Sequence, residues 1–236
     1  QRPMRAIRRS TLSESMTTQD PTQPEHIPPL VTIVIVNYNG GEMICRCLVA
    51  LEQQTLKDFA VVVVDNNSSD DSVSCIRMRF PSVSVLTLPK NMGFAAGVNH
   101  ALRTCDLGVW VALLNPDAFA TEDWLESLVV SAQRHPEIAA FGSRMFSDTE
   151  QLLLDGVGDV YHVSGLPWRT GHGCANTSLH DREAEIFAPC AAAALYRVSA
   201  LMEIGLLDED FFLYVEDIDL GFRLRLAGYR SLYVPH

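Results

Sequence analysis

Four runs of apolar, largely β-branched residues punctuate the first half of the chain: LVTIVIV (30–36), AVVVVD (60–65), VSVLTL (83–88) and VWVALL (109–114). The first is a continuous β-branched run, the pattern of a strand buried on both faces, and the second reads as another buried strand. Helical patterns lie between them, at 42–54, about 71–79 and 93–104, and the polar NNSSDD (66–71) caps the second. Strand and helix alternate through short connections. That predicts an α/β fold, with a mostly parallel central sheet flanked by helices.

The second half is less regular. The pattern predicts a helix over 121–134 and a strand over 138–146, followed by an irregular stretch at 152–168 containing Gly156, Gly158 and Gly165. Residues 169–185 are polar, with two histidines and two glycines, and read as a mobile loop long enough to serve as a lid. IFAPCAAAALYRV (186–198) reads as a buried strand or helix entry. A helix is predicted over 216–227, ended by Gly228, before a short final strand that runs to His236. Residues 1–29, rich in Ser, Thr, Gln and Pro, read as a disordered arm or linker, which leaves 30–236 as one domain.

Composition narrows the function. The formal net charge is −11 over 236 residues, with no long basic stripe, which argues against nucleic acid as a partner. An acidic chain that binds a phosphorylated ligand needs local help from a metal, a helix N-terminus or backbone amides. No apolar run reaches the ~18 residues of a membrane span. Arg5, Arg8 and Arg9 are compatible with a peripheral contact to anionic lipid. Six scattered cysteines without a CxxC pair read as reduced, mostly buried thiols of a cytoplasmic protein.

The candidate chemistry sits where the predicted strands end. Asn37, Tyr38 and Asn39 follow the first, Asp65, Asn66 and Asn67 the second, and Asn115, Pro116 and Asp117 the fourth. One polar loop signifies only a turn, since Asn and Asp suit turns. Three at the carboxyl edge of one sheet point to a ligand site. GFAAGVN (93–99) is either a helix start with small residues for close packing or one aimed at a pyrophosphate or sugar. Asp117 is either a cap for the helix near 121 or a ligand for a hard divalent cation. In FFLYVEDIDLGFRLRLAGY (211–229), Glu216, Asp217 and Asp219 suit the positive end of a helix dipole, and Asp219 can pair with Arg223 one turn on. A carboxylate there is also placed to act as a general base.

VTIVIVNYNG, VVVVDNNSSDDS, NMGFAAGVNHAL, LLNPDAF and GLLDEDFFLYVEDIDLGFRLRLAGYRSLYVPH, in this order over residues 30–236, resemble family 2 glycosyltransferases of GT-A fold. With NPD in place of the usual Asp-x-Asp, they look most like bacterial rhamnosyltransferases, which build cell-surface polysaccharide from a deoxythymidine-diphosphate sugar. The resemblance implies that Asn37–Asn39 and Asp65–Asn67 hold the nucleoside. It places Asn91, Gly93, Phe94 and Asn99 near ribose or phosphate, and Asn115 at the diphosphate. Asp117 and His236 would bind Mn²⁺ or Mg²⁺, with affinity weakened because Asn115 stands where the family has its first Asp. Asp217 would be the base, and Glu216 would contact the acceptor or orient the site. PCAAAA (189–194) departs from the family's usual Gly-Ala pair on the acceptor side. The family's chain continues past the final histidine, so a further acceptor or membrane-association segment is expected.

The expected activity is an inverting transfer from a nucleotide-sugar donor to a saccharide or lipid-linked acceptor, in the cytoplasm or at the inner face of the membrane. Two other readings compete. One is a nucleotide-sugar-binding domain without catalysis, motivated by Asn115. The other is a doubly wound nucleotide binder, disfavoured because GxGxxG is absent.

Overall fold

The computed structural model describes residues 28–235. His236 and nearly all of the expected N-terminal arm, including Arg5, Arg8 and Arg9, lie outside that range. Strands β1 (Val31–Asn37), β2 (Phe59–Asp65), β3 (Ser84–Thr87) and β4 (Trp110–Leu114) form one side of an eight-stranded sheet. They alternate with α1 (Gly41–Glu52), α2 (Ser72–Arg79) and α3 (Phe94–Thr104). All pairings in the order β4-β1-β2-β3 are parallel. Val31, Ile33 and Ile35 of β1 pack with α1 on one face, and Val34 packs with α3 on the other. Two-sided burial explains why β1, β2 and β4 have no polar alternation, whereas β3, at the sheet edge, is only partly buried.

The sheet is mixed beyond β4. Helix α4 (Trp124–Arg134) leads to β5 (Ile138–Ser143), and β6 (Met145–Phe146) pairs with β7 (Leu154–Gly156). A second ribbon pairs β8 (Asp159–Tyr161) with β9 (Pro167–Arg169). Then follow β10 (Ala184–Ile186), β11 (Ala193–Arg197), α5 (Val198–Ile204), α6 (Glu216–Leu226) and β12 (Arg230–Val234). β11 inserts antiparallel between β4 and β5, and β12 pairs parallel with β5. Insertion of the Ala-rich β11 beside β4 is the decisive step for the site. It brings a segment some 80 residues downstream to the carboxyl end of β4.

Two expectations change. The predicted helix over 121–134 begins only at Trp124, because Trp124 N–H bonds the Thr121 carbonyl in a preceding turn. Asp117 is therefore no cap for it. The stretch 186–198 does contain a buried strand, β11, and ends at the first residue of α5. The segment 169–185 is tied down rather than a free lid. Arg144 Nη1 donates to Asn176 (3.0 Å) and Asp181 (2.9 Å), and the Tyr233 hydroxyl donates to the His180 carbonyl (2.9 Å).

Candidate functional site

The β1–β4 register sets Leu113 opposite Val34, so the chain leaves β4 at Leu114 beside the end of β1. Asn115 and Asp117 follow and line a cleft of about 1050 Å³, together with Arg46, Arg144, Arg169 and Tyr214. Asp117 is exposed, and its carboxylate makes no hydrogen bond or ion pair among the described residues. Its charge is felt by Cys47 on α1, whose thiol is pushed up to about 12, mainly by burial and then by Asp117. An uncommitted carboxylate facing a cleft, beside the neutral oxygen of Asn115, fits a hard divalent cation.

The two expected nucleoside loops are brought together, but much of their polarity is spent on each other. Asn37 is wholly buried. Its Nδ2 donates to Asp65 (3.1 Å), Ser68 (3.1 Å) and Ser72 (2.9 Å). Asp65 also accepts from Ser68 N–H, and Asn39 accepts from Ser69 N–H (2.8 Å). Asn66 is buried, bridging Gly93 O and Met92 N–H. Tyr38, Asn39 and Asn67 are exposed, and of these Asn39 alone has its side-chain oxygen engaged, by Ser69.

The start of α3 is likewise built into the scaffold. Met92 N–H donates to Asn66, Gly93 N–H to Asn91 (3.0 Å), and Phe94 N–H to the Phe212 carbonyl (2.8 Å). These three amides are engaged within the protein, not presented to a pyrophosphate. Asn99 lies deeper, wholly buried, and binds Leu207 through both its amide nitrogen and oxygen, and also Glu209. What the sequence grouped as a phosphate-side turn thus fastens residues 207–212 to α3. That segment leads directly to the acids of α6.

The lead-in is strained. Tyr214 and Val215 are consecutive non-glycine residues at φ +71° and +72°. Such conformations cost on the order of 1–3 kcal/mol each and cluster at functional sites. Tyr214 borders the cleft, and the next two residues are Glu216 and Asp217, both buried. Asp217 accepts from Ala191 N–H (3.2 Å) and from Ile218 N–H (2.9 Å). Asp219 pairs with Arg223 at 2.7 Å, as its spacing predicted.

Glu216 differs from its neighbours. Its Oε2 is buried without a partner, and burial pushes the carboxyl up to about 7. Folding raises this pKa, so the folded state binds the extra proton. The resulting stabilisation is complete below the unfolded carboxylate range and is lost as pH rises through about 7. Glu216→Gln should therefore flatten the fall in Tm between pH 5 and pH 8, by the equivalent of ~1–2 kcal/mol. Thermal melts across that range check it, and an unchanged slope would refute it.

The sequence reading missed a second group of residues. Asp159, Cys190 and Asp217 place their ligating atoms within 4.8 Å of one another. Arg169 reaches the same place, with Nη2 at 2.7 Å from Cys190 Sγ and Nε at 3.4 Å from Asp159, while Nη1 bonds Asp155 at 2.8 Å. Burial pushes the Cys190 thiol up to about 12, so it is no thiolate. A protonated thiol and a resident guanidinium do not suit a cation, whereas Asp117 does. No motif marks Asp155, Asp159 or Arg169. Their one signal is a run of charges among glycines in an otherwise irregular stretch.

The family model described as glycosyl transferase family 2 matches residues 32–205. An N-acetylglucosaminyl-diphospho-decaprenol L-rhamnosyltransferase of Mycobacterium tuberculosis is 28% identical over 228 residues, covering 87% of this chain and 74% of the relative. An uncharacterized glycosyltransferase of Bacillus subtilis, YwdF, is 28% identical over 209 residues, covering 87% and 71%. Among solved structures, GalNAc-T7 with UDP, GalNAc and Mn²⁺ aligns at a TM-score of 0.70 and 14% identity over 90% of this chain. The mannosyltransferase PcManGT of Pyrobaculum calidifontis, with GDP-Man and Mn²⁺, aligns at 0.65 and 19% over 89%. The chain spans 44% and 56% of the lengths of those two structures, which share its GT-A fold. With strand-end loops, the cleft carboxylate and the α6 acids arranged on that fold, the chain belongs to glycosyl transferase family 2.

Proposed function

We propose that this family member is an inverting transferase that moves a sugar from a nucleotide-diphosphate donor, dTDP-rhamnose, to a hydroxyl of a saccharide or lipid-linked acceptor in cell-surface polysaccharide synthesis. The observation that carries the reading is a pair of hydrogen bonds made by the backbone of two adjacent residues. Ala191 N–H donates to Asp217, and the Ala192 carbonyl accepts from Asn115 N–H at 2.9 Å. The loop that bears Asp117 and the acid on α6 are thereby fixed to one short peptide. The departure PCAAAA, which clouded the acceptor side in the sequence, is that peptide.

The chemistry follows from this arrangement. The acceptor oxygen attacks the anomeric carbon from the face opposite the diphosphate, and the bond from that carbon to phosphate oxygen breaks. The hydroxyl proton passes to Asp217 as attack proceeds. A single displacement inverts the centre. Asp117, together with His236 outside the described residues, would hold Mn²⁺ or Mg²⁺, which when bound offsets charge on the leaving diphosphate. The name of the mycobacterial relative supports both the rhamnosyl donor and a lipid-diphosphate acceptor. No helix among the described residues is long and apolar enough to cross a membrane.

A thermal-shift panel of nucleotide sugars with and without Mn²⁺ tests the donor and the cation together. At a hundredfold excess over Kd, the true donor should stabilise by ~2.7 kcal/mol. For a chain of this size that is a rise in Tm of roughly 5–10 °C. dTDP-rhamnose should give the largest shift, and Mn²⁺ should enlarge it in the parent but not in Asp117→Ala. A larger shift with a UDP- or GDP-sugar would replace the donor, and an equal response to Mn²⁺ in the variant would remove Asp117 from the cation site.

A further inference from the structure

Arg169 is an unusual cation in an acidic protein. It starts on a two-stranded ribbon outside the main sheet, yet its guanidinium ends among the groups behind Asp217. Its path is prepared by Gly156, where any Cβ would overlap the Arg169 Cγ and Cδ methylenes. Bare backbone at 156 is what lets the arginine stem through. The guanidinium then bonds Asp155 of β7, Asp159 of β8 and Cys190 ahead of β11.

Four other groups face the cluster. His172 bonds the Asp155 carbonyl (2.9 Å). The Tyr196 hydroxyl of β11 is wholly buried without a partner. Glu216 and Asp217 come from α6, and Asp155 is shared with the cleft wall. The negative groups outnumber the single arginine. Asp159 and Asp217 are both buried and lie close together, a costly juxtaposition of like charge. Consistent with that, Asp159 is pushed up to about 6 by burial and by Asp217, against the opposing pull of Arg169.

We propose that Arg169 is a positioning residue for the transfer reaction: it holds Asp159 in an ion pair and so keeps the carboxylate cluster at Asp217 charged and able to accept the acceptor's proton. The inference rests on the reading of Asp217 as base. It goes beyond that reading by assigning the counter-charge the base requires. Arg169 also lines the cleft that holds Asp117, so its loss removes positive charge there.

The test is the pH–rate profile for release of dTDP from dTDP-rhamnose in the presence of acceptor, or of the donor found by the thermal-shift panel. Arg169→Met should move the acidic limb upward by about one pH unit or more, the range over which an adjacent opposite charge acts. Arg169→Lys should recover part of that displacement. Asp159→Asn in the Arg169→Met background should move the limb back, because the carboxylate that needed the arginine is gone. Should Arg169→Met fail to fold, Asp159→Asn alone still discriminates, since removing a negative neighbour should move the limb downward. An acidic limb that stays in place in Asp159→Asn, or that shifts alike in Arg169→Lys and Arg169→Met, overturns the proposal. Asp217→Asn separates the two levels: a fully active Asp217→Asn overturns the base assignment itself, whereas an inactive one with unmoved Arg169 and Asp159 profiles overturns only the role of Arg169.

Discussion

Asp217→Asn should lower transfer by ~10²–10⁴-fold, the usual worth of a positioned general base, while leaving donor binding intact. The substitution is isosteric. The amide oxygen can still accept from one of the two backbone N–H groups that Asp217 now satisfies, Ala191 and Ile218. The other bond is lost, which sets an expected stability cost of about 1–3 kcal/mol. The donor-induced thermal shift reports binding separately from turnover, so a loss of rate with an unchanged shift identifies a chemical role. Glu216→Gln is the informative companion. Its parent carboxyl is buried, lacks a partner at Oε2 and is held near neutrality, all of which suit a base. If Glu216→Gln abolishes transfer and Asp217→Asn does not, the base is Glu216 and the two acids exchange roles.

The second large effect is structural. Gly93→Ala should destabilise the protein by roughly 2–5 kcal/mol, combining a left-handed backbone penalty with overpacking. Gly93 sits at φ +88°, and an added methyl would overlap the Phe212 carbonyl oxygen and lie 2.8 Å from the Phe212 ring. The obstacle is backbone, which cannot rotate away. That carbonyl also accepts the Phe94 N–H, so the clash acts on the bond that seats residues 211–215 on α3. Since that segment delivers Glu216 and Asp217, activity should fall with stability. Tm should drop by roughly 5–15 °C, at about 2–4 °C per kcal/mol for this length. A melt within 2 °C of the parent would show that the contact is dispensable.

The parallel half of the sheet was legible from the chain because β1, β2 and β4 are buried on both faces and each connection is short. Val31–Asn37 and Phe59–Asp65 fall within a residue of their apolar runs. The same holds for α6, whose first turn carries Glu216, Asp217 and Asp219 as its pattern predicted. The second half was harder to read. β6 to β10 are two or three residues long and pair into ribbons or across the sheet edge, so none carries a full period of alternation. The polar 169–185 segment looked like a lid because its restraints come from Arg144 and Tyr233, distant in sequence.

The site shows the same division. Local sequence placed three polar loops at one sheet edge, set Asp117 after a buried strand and put acids at a helix start, because short-range rules of pleat, turn and dipole govern those features. It also carried the family resemblance. Only the tertiary structure decided how those residues divide the work. Asn37, Asp65 and Asn66 have much of their hydrogen-bonding capacity taken by the protein, Asn99 is committed to Leu207 and Glu209, and Asp117 has no such partner among the described residues. The antiparallel insertion of β11 joins the Asn115 loop to Asp217, and an open path at Gly156 brings Arg169 behind it. Those outcomes depend on contacts between residues tens of positions apart. No periodicity encodes such contacts, because a charge buried beside another is set by which elements pack, not by the residues next to it in the chain.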